Sequence, residues 1–175
     1  MPASINPVTA SIVANFASKY VNSSSVVCDP FCGSGTMLIE LDKLVKVKKL
    51  IGVDIFVRAI TFAKENAKLA GTNIDFITSD ITECDSLCGV NLVISNMPFG
   101  NRVGSHSENE KLYSAFFDKC SQFLTNDAML ALYTTEIELI KNCLFKRKQF
   151  SLIKQVKLTS GDMNPSLFII KFKRK

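Results

Sequence analysis

Apolar positions along this chain change their period repeatedly, and each change marks an element. Short runs rich in β-branched residues occur at Val26-Val27-Cys28, Leu50 to Val53, Ile74 to Ile77, Asn91 to Ile94 and Met129 to Tyr133, as buried strands require. Between them the spacing turns helical. Met37, Leu38, Leu41, Leu44 and Val45 form one such pattern, and Val57 to Ala70, stopped by Gly71, forms another. Leu112, Phe116, Cys120 and Leu124 recur every four residues, and Glu136 to Phe145 reads as a further helix. The tail alternates without helical signal over Phe150 to Leu158 and Leu167 to Phe172, around a turn at Ser160-Gly161-Asp162-Met163-Asn164-Pro165. Strands separated by helices pair in parallel with helices on both faces, and two strands without a helix between them form an antiparallel hairpin. The expected fold class is α/β: a doubly wound, mostly parallel seven-stranded sheet with an antiparallel edge hairpin.

Composition narrows this picture. The 175 residues read as one domain, 1–175, and 47% hydrophobic content with a mean hydropathy of +0.18 excludes a disordered chain. No apolar run reaches the ~20 residues of a membrane helix, and Met1-Pro2-Ala3-Ser4 lacks the basic and apolar regions of a signal peptide. Cys28/Cys32 and Cys84/Cys88 are each spaced four apart, unlike the C-x2-C of zinc ribbons, and the chain has one histidine. The six cysteines therefore read as reduced, structural thiols of a cytoplasmic protein, with no metal. The net charge is +5, with lysines gathered at Lys43, Lys46, Lys48 and Lys49, at Lys146-Arg147-Lys148, and at Lys171, Lys173, Arg174 and Lys175. Solvated faces and attraction to a polyanion such as RNA explain these clusters equally well.

The chemistry is concentrated at strand ends, where doubly wound sheets bind ligands. The first strand runs into 28-CDPFCGSGTMLIE-40, in which Gly33 and Gly35 permit a tight turn and close approach of backbone to a ligand. The helix that follows presents unpaired N–H groups. Asp54 ends the second strand, placed to take both hydroxyls of a ribose. Asp80 follows the third strand, placed to meet an adenine amino group. The third glycine of a dinucleotide fingerprint would fall at Leu38, which speaks against a nicotinamide cofactor and an oxidoreductase. Asp29, an odd neighbour for a pyrophosphate, suits a cationic amino group instead. S-adenosylmethionine carries an adenine, a ribose, an amino acid and a sulfonium, and so satisfies all of these positions.

At the end of the fourth strand stands Asn96-Met97-Pro98-Phe99. An exocyclic amine of a base is a poor nucleophile, because its lone pair is delocalised into the ring. Positive charge builds on that nitrogen during methyl transfer, and acceptors aimed at it stabilise the transition state. The side-chain oxygen of Asn96 and the backbone carbonyl of Met97 supply two acceptors. Pro98 holds Met97 extended, and Phe99 offers a ring for the base to stack on.

The segments 5-INPVTA-10, 28-CDPFCGSGTMLIE-40, 52-GVDIF-56, 95-SNMPFGNR-102, 112-LY-113 and 161-GDMNPSLFIIKF-172 together resemble the THUMP-associated RNA methylase family, which includes transfer RNA and ribosomal RNA guanine-N2 methyltransferases. The resemblance covers nearly the whole chain and implies a Rossmann-like class I methyltransferase. It implies S-adenosylmethionine contacts at Thr9, Asp29, Phe31, Gly33, Gly35, Asp54, Asp80 and Asn96, with the first helix closing over the methionine end. It further implies a catalytic turn at Asn96, Met97, Pro98 and Phe99, with the substrate path continuing over Phe99, Gly100 and Arg102. Arg102 reads equally well as a phosphate contact and as a solvated loop residue, and His106 as a solvated residue of a polar loop. The family usually carries proline where this chain has Met97, which relaxes the backbone and adds an N–H. The RNA-gripping THUMP domain is absent from these 175 residues, so RNA affinity of the chain by itself is expected to be weak. Adenine-N6 and glutamine-amide methylation, and a non-catalytic cofactor- or RNA-binding module, stay open as alternatives.

Overall fold

In a computed structural model the protein is described over residues 5–99, 106–158 and 164–174, with the side chains of 106 and 107 excepted. The elements run α1 (Pro7–Ser18), β1 (Val26–Asp29), α2 (Thr36–Leu44), β2 (Lys49–Asp54), α3 (Val57–Ala70), β3 (Asp75–Thr78), β4 (Val90–Asn96), α4 (His106–Phe123), β5 (Leu124–Thr134), α5 (Ile137–Lys146), β6 (Phe150–Lys157) and β7 (Ser166–Phe172). The sheet has the order β3-β2-β1-β4-β5-β7-β6. Its first five strands are parallel, and β7 lies antiparallel between β5 and β6. The seven strands and the antiparallel edge agree with the sequence reading. The tail turn falls largely outside the described residues.

Strand order reverses at β1, whose neighbours are β2 and β4, and this places the ends of β1 and β4 side by side. Alternation along β4 divides the core: Leu92 and Ile94 face one layer, Val93 the other. The first layer buries Ala10, Val13, Ala14 and Ala17 of α1 with Met37, Leu38 and Leu41 of α2. The second is built on α4 and α5 and holds Phe116, Phe117, Leu139 and Ile140.

Two local features fix helix ends. Pro7 opens α1 in the first turn, where its missing N–H costs nothing, and Asn6 caps the helix by accepting from the Val8 N–H at 2.8 Å. Gly71 ends α3 at φ 67°, as its position in the sequence predicts.

The face of α4 differs from the expectation. Asn109, Tyr113, Phe116, Phe117, Cys120 and Phe123 are buried, Leu112 is half-buried, and Leu124 is the first residue of β5. His106, expected in a polar loop, is the first residue of α4.

Candidate active site

The glycine loop after β1 is held by backbone bonds before any ligand is considered. The Cys32 N–H donates to the Val53 carbonyl at 2.9 Å, and the Gly35 N–H closes a turn onto the Cys32 carbonyl at 2.8 Å. Gly33 (φ 51°) and Gly35 (φ 78°) both occupy the left-handed region that favours glycine. At Gly33 a side chain would meet nothing within 4 Å, so this backbone borders open space. Gly35 is the N-cap of α2, and no side chain caps that helix.

Three carboxylates line the same edge. Asp54 accepts from the Gly33 N–H with Oδ2 and from the Phe56 N–H with Oδ1, each at 2.9 Å, so it ties the glycine loop to the end of β2. Asp80 accepts from both the N–H and the hydroxyl of Thr82 through Oδ1, at 2.8 and 2.7 Å, and so also shapes the turn after β3. Asp29 is 1% exposed. Its Oδ1 accepts from the Ser95 hydroxyl at 2.6 Å and from the Phe31 N–H at 3.1 Å. Burial pushes the Asp29 carboxyl up to about 7; the two hydrogen bonds pull against that shift, and the charge of Asp54 adds to it. Burial likewise raises the thiols of Cys28 and Cys32, which keeps them neutral and poorly nucleophilic.

Beside Asp29 the β4–β5 ladder runs to its end. Asn96 pairs with Tyr133, and the Met97 N–H donates to the Tyr133 carbonyl at 2.9 Å. The N–H that methionine adds is therefore used in the ladder, and its side chain, 1% exposed, fills the core. Pro98 lacks an N–H and stops the ladder; its carbonyl accepts from the Tyr113 hydroxyl at 2.8 Å. The Asn96 Oδ1 atom is buried and has no hydrogen-bond partner among the described residues. An unsatisfied buried acceptor costs free energy on the order of 1–3 kcal/mol, so its presence at a strand end points to a missing donor. Phe99 is half-buried and belongs to neither core cluster.

Of the remaining expected residues, Thr9 is half-buried on the first turn of α1, and Phe31 packs on Phe116 with ring centroids 5.5 Å apart. Gly100 and Arg102 lie outside the described residues. Three features escaped the sequence reading. Ser95 bonds Asp29, Tyr113 bonds the turn after β4 at Pro98, and Ile55 and Phe56 stand 55% and 57% exposed directly after Asp54. A hydroxyl inside an apolar strand run, and a tyrosine on a buried helix stripe, each demand a partner, and that was the available signal. An open cleft of about 470 Å³ lined by Asp42, Lys46, Lys48, Lys49 and Asp75 lies at the other end of β2 and shares no residue with this site. Among the described residues no three His, Cys, Asp or Glu side chains converge as a metal centre would need.

Comparison with known proteins agrees with this fold. The chain is 25% identical to a tRNA (guanine(6)-N2)-methyltransferase of Methanocaldococcus jannaschii, over 97% of its own length and 54% of that relative's. It thus spans about half of that protein. Its fold matches the crystal structure of TrmN from Thermus thermophilus with a TM-score of 0.82 at 24% identity, covering 97% of this chain and 50% of that one. SMU.1697c of Streptococcus mutans, solved in complex with SAH, superposes with a TM-score of 0.74 at 15% identity, covering 97% of this chain and 99% of that one. With the model of the RMKL-like methyltransferase domain matching residues 1–165, the chain belongs to that family.

Proposed function

We propose that this chain transfers a methyl group from S-adenosylmethionine to the N2 amine of a guanine in RNA. The observation that carries the reading is the buried Asn96 Oδ1 at the end of β4, without a hydrogen-bond partner among the described residues, one residue after Ser95, which bonds Asp29, and two residues before Pro98, whose carbonyl Tyr113 holds. The name of the Methanocaldococcus jannaschii relative supports guanine N2 as the target.

The residues at the edge fit this cofactor. Gly33 offers backbone that a ligand can approach, Asp54 and Asp80 offer carboxylate oxygens for hydroxyl and amino groups, and Asp29 offers a counter-charge for an ammonium. Ile55 and Phe56 supply apolar surface for a flat base. Thr9 of α1 and Phe31 complete the enclosure of the methionine end. When bound, the cofactor supplies an electrophilic methyl group on a sulfonium. The chain's part is to hold the amine. Asn96 Oδ1 and the Met97 carbonyl accept its two N–H bonds, which draws the nitrogen lone pair out of conjugation with the base ring and stabilises the positive charge that grows as the N–C bond forms and the S–C bond breaks; the methylated nitrogen then gives up one proton to solvent. Phe99 stacks on the base, and Gly100 and Arg102 continue the path toward RNA. The target guanine enters from a single strand or flipped out of a helix.

Methyl transfer to bulk RNA followed by nucleoside mass spectrometry tests this. The expected product is N2-methylguanosine, with turnover lowered about 10²–10³-fold in Asn96→Ala and cofactor affinity nearly unchanged. N6-methyladenosine or a methylated protein amide as the product would replace guanine as substrate. Tight cofactor binding without any methyl transfer would make the chain a binding module.

A further inference from the structure

Tyr113 is wholly buried on α4, fifteen residues from Pro98 in sequence, and its hydroxyl meets two partners. The Pro98 carbonyl lies at 2.8 Å and the Thr134 Oγ1 at 2.7 Å. The proton positions follow from valence. A carbonyl only accepts, so Tyr113 spends its single proton on Pro98. The tyrosine oxygen then accepts from Thr134, whose own oxygen accepts from the Glu136 N–H at 3.0 Å. The result is a directed chain from the Glu136 N–H through Thr134 and Tyr113 to the Pro98 carbonyl. Both side chains are 0% exposed, so water does not compete for these bonds. Burial also raises the Tyr113 phenol, which keeps it a donor at every working pH.

This chain ends on the catalytic turn in a particular way. The Met97 N–H is fixed to the Tyr133 carbonyl upstream, and the Pro98 carbonyl is fixed to Tyr113 downstream. Between these anchors lies one peptide unit, which carries the Met97 carbonyl, and the Pro98 ring locks the φ that follows it. The direction of the Met97 carbonyl is therefore set from both sides, and both anchors trace to the end of β5, at Tyr133 and Thr134. Three residues further along α4, Phe116 packs on Phe31 of the glycine loop. One helix face thus touches both the target turn and the cofactor loop.

We infer that Tyr113, held by Thr134, is a positioning residue that aims the Met97 carbonyl at the target amine. The inference rests on reading the 96–99 turn as the amine site. Tyr113→Phe, Thr134→Val, Thr134→Ser and Asn96→Ala in the full chain separate the two ideas, with single-turnover and steady-state methyl transfer to bulk RNA across pH, calorimetry with S-adenosylmethionine and amide exchange at Phe99 as readouts. Tyr113→Phe is expected to lower the rate of methyl transfer about ten- to hundred-fold, as a misplacement of the order of an ångström does. Cofactor affinity and RNA KM should stay within about twofold, and Phe99 exchange should quicken. The pH profile should keep its shape. Thr134→Val should reproduce the effect, Thr134→Ser should restore the rate, and Tyr113→Phe/Thr134→Val should be no worse than Tyr113→Phe alone. A full rate in Tyr113→Phe beside a crippled Asn96→Ala overturns the inference and leaves the site reading standing. A normal rate in Asn96→Ala removes the site reading and this inference with it. If Tyr113→Phe fails to fold, the Thr134 pair decides: equal rates in Thr134→Val and Thr134→Ser sink the proposal.

Discussion

A carboxyl that titrates near neutrality makes Asp29 the residue whose chemistry depends most on its surroundings. It is charged when free in water at pH 5, but its burial and raised value of about 7 keep it largely protonated there in the folded chain. An ammonium ligand requires the charged form, so cofactor affinity should rise about tenfold between pH 6 and pH 8. Asp29→Asn should weaken binding at pH 8 and flatten this dependence; calorimetry at the two pH values checks it. Stability has the opposite sign. Because the folded value is raised, the folded chain holds its proton more tightly than the unfolded one, and stability falls as pH rises from the ordinary carboxylate range toward 7. Asp29→Asn should therefore raise Tm more at pH 8 than at pH 5, exchanging stability against cofactor binding. Asn96 and Met97 make the same point in another form. The orphaned Oδ1 is a cost borne at the strand end, and the extra N–H of methionine is absorbed by Tyr133. Methionine at this position leaves the acceptors of the turn in place.

At the scale of elements, close approach constrains β2. Gly52 pairs with Phe76 of β3, and a Cβ there would lie 2.8 Å from two carbons of the Phe76 ring and 3.0 Å from the Cys32 sulfur. Gly52→Ala should destabilise the chain by about 1–3 kcal/mol, measured by denaturant unfolding, because the ring and the glycine loop must both give way. Cofactor affinity should fall with it, since the loop carries Gly33. Helix α4 shows where reading by period fails. A four-residue spacing advances about 40° beyond a full turn at each step, so Leu112, Phe116, Cys120 and Leu124 cannot share one face over three steps. The structure resolves the drift by burying Tyr113, Phe116, Phe117 and Cys120 and by starting β5 at Leu124. That shift of one residue, from Leu112 to Tyr113, brings the hydroxyl against Pro98.

For the molecule as a whole, the basic clusters have nearly half of their charges paired among the described residues. Lys43 pairs with Glu40, Lys46 with Asp42, Lys49 with Asp75 and Lys171 with Asp127, while Arg147 is held by Asp118 and Ser114. Surface pairs of this kind add little stability, but they lower the field that a phosphate backbone meets. Binding of this chain to single-stranded RNA should accordingly show a shallow salt dependence, with a slope of log K against log salt near −2, as two or three neutralised phosphates give. Fluorescence titration across 50–200 mM salt measures it. A slope several times steeper would reveal a basic surface that these pairings do not leave open.

Much of this was legible in the order of residues. Periods of two and 3.6 are local properties, and they placed seven strands and the parallel-to-antiparallel change correctly; glycines and acids at strand ends then fell together, because parallel strands all end on one edge. Contacts between residues far apart in sequence were not legible. That Ser95 would meet Asp29 across 66 positions, that burial would lift that carboxyl toward neutrality, and that Tyr113 would reach Pro98 depend on distances set only when the layers pack. Local sequence determined which groups stand at the edge. Only the tertiary structure decided their protonation and their aim, because desolvation and hydrogen-bond geometry belong to the packed chain and to no segment of it.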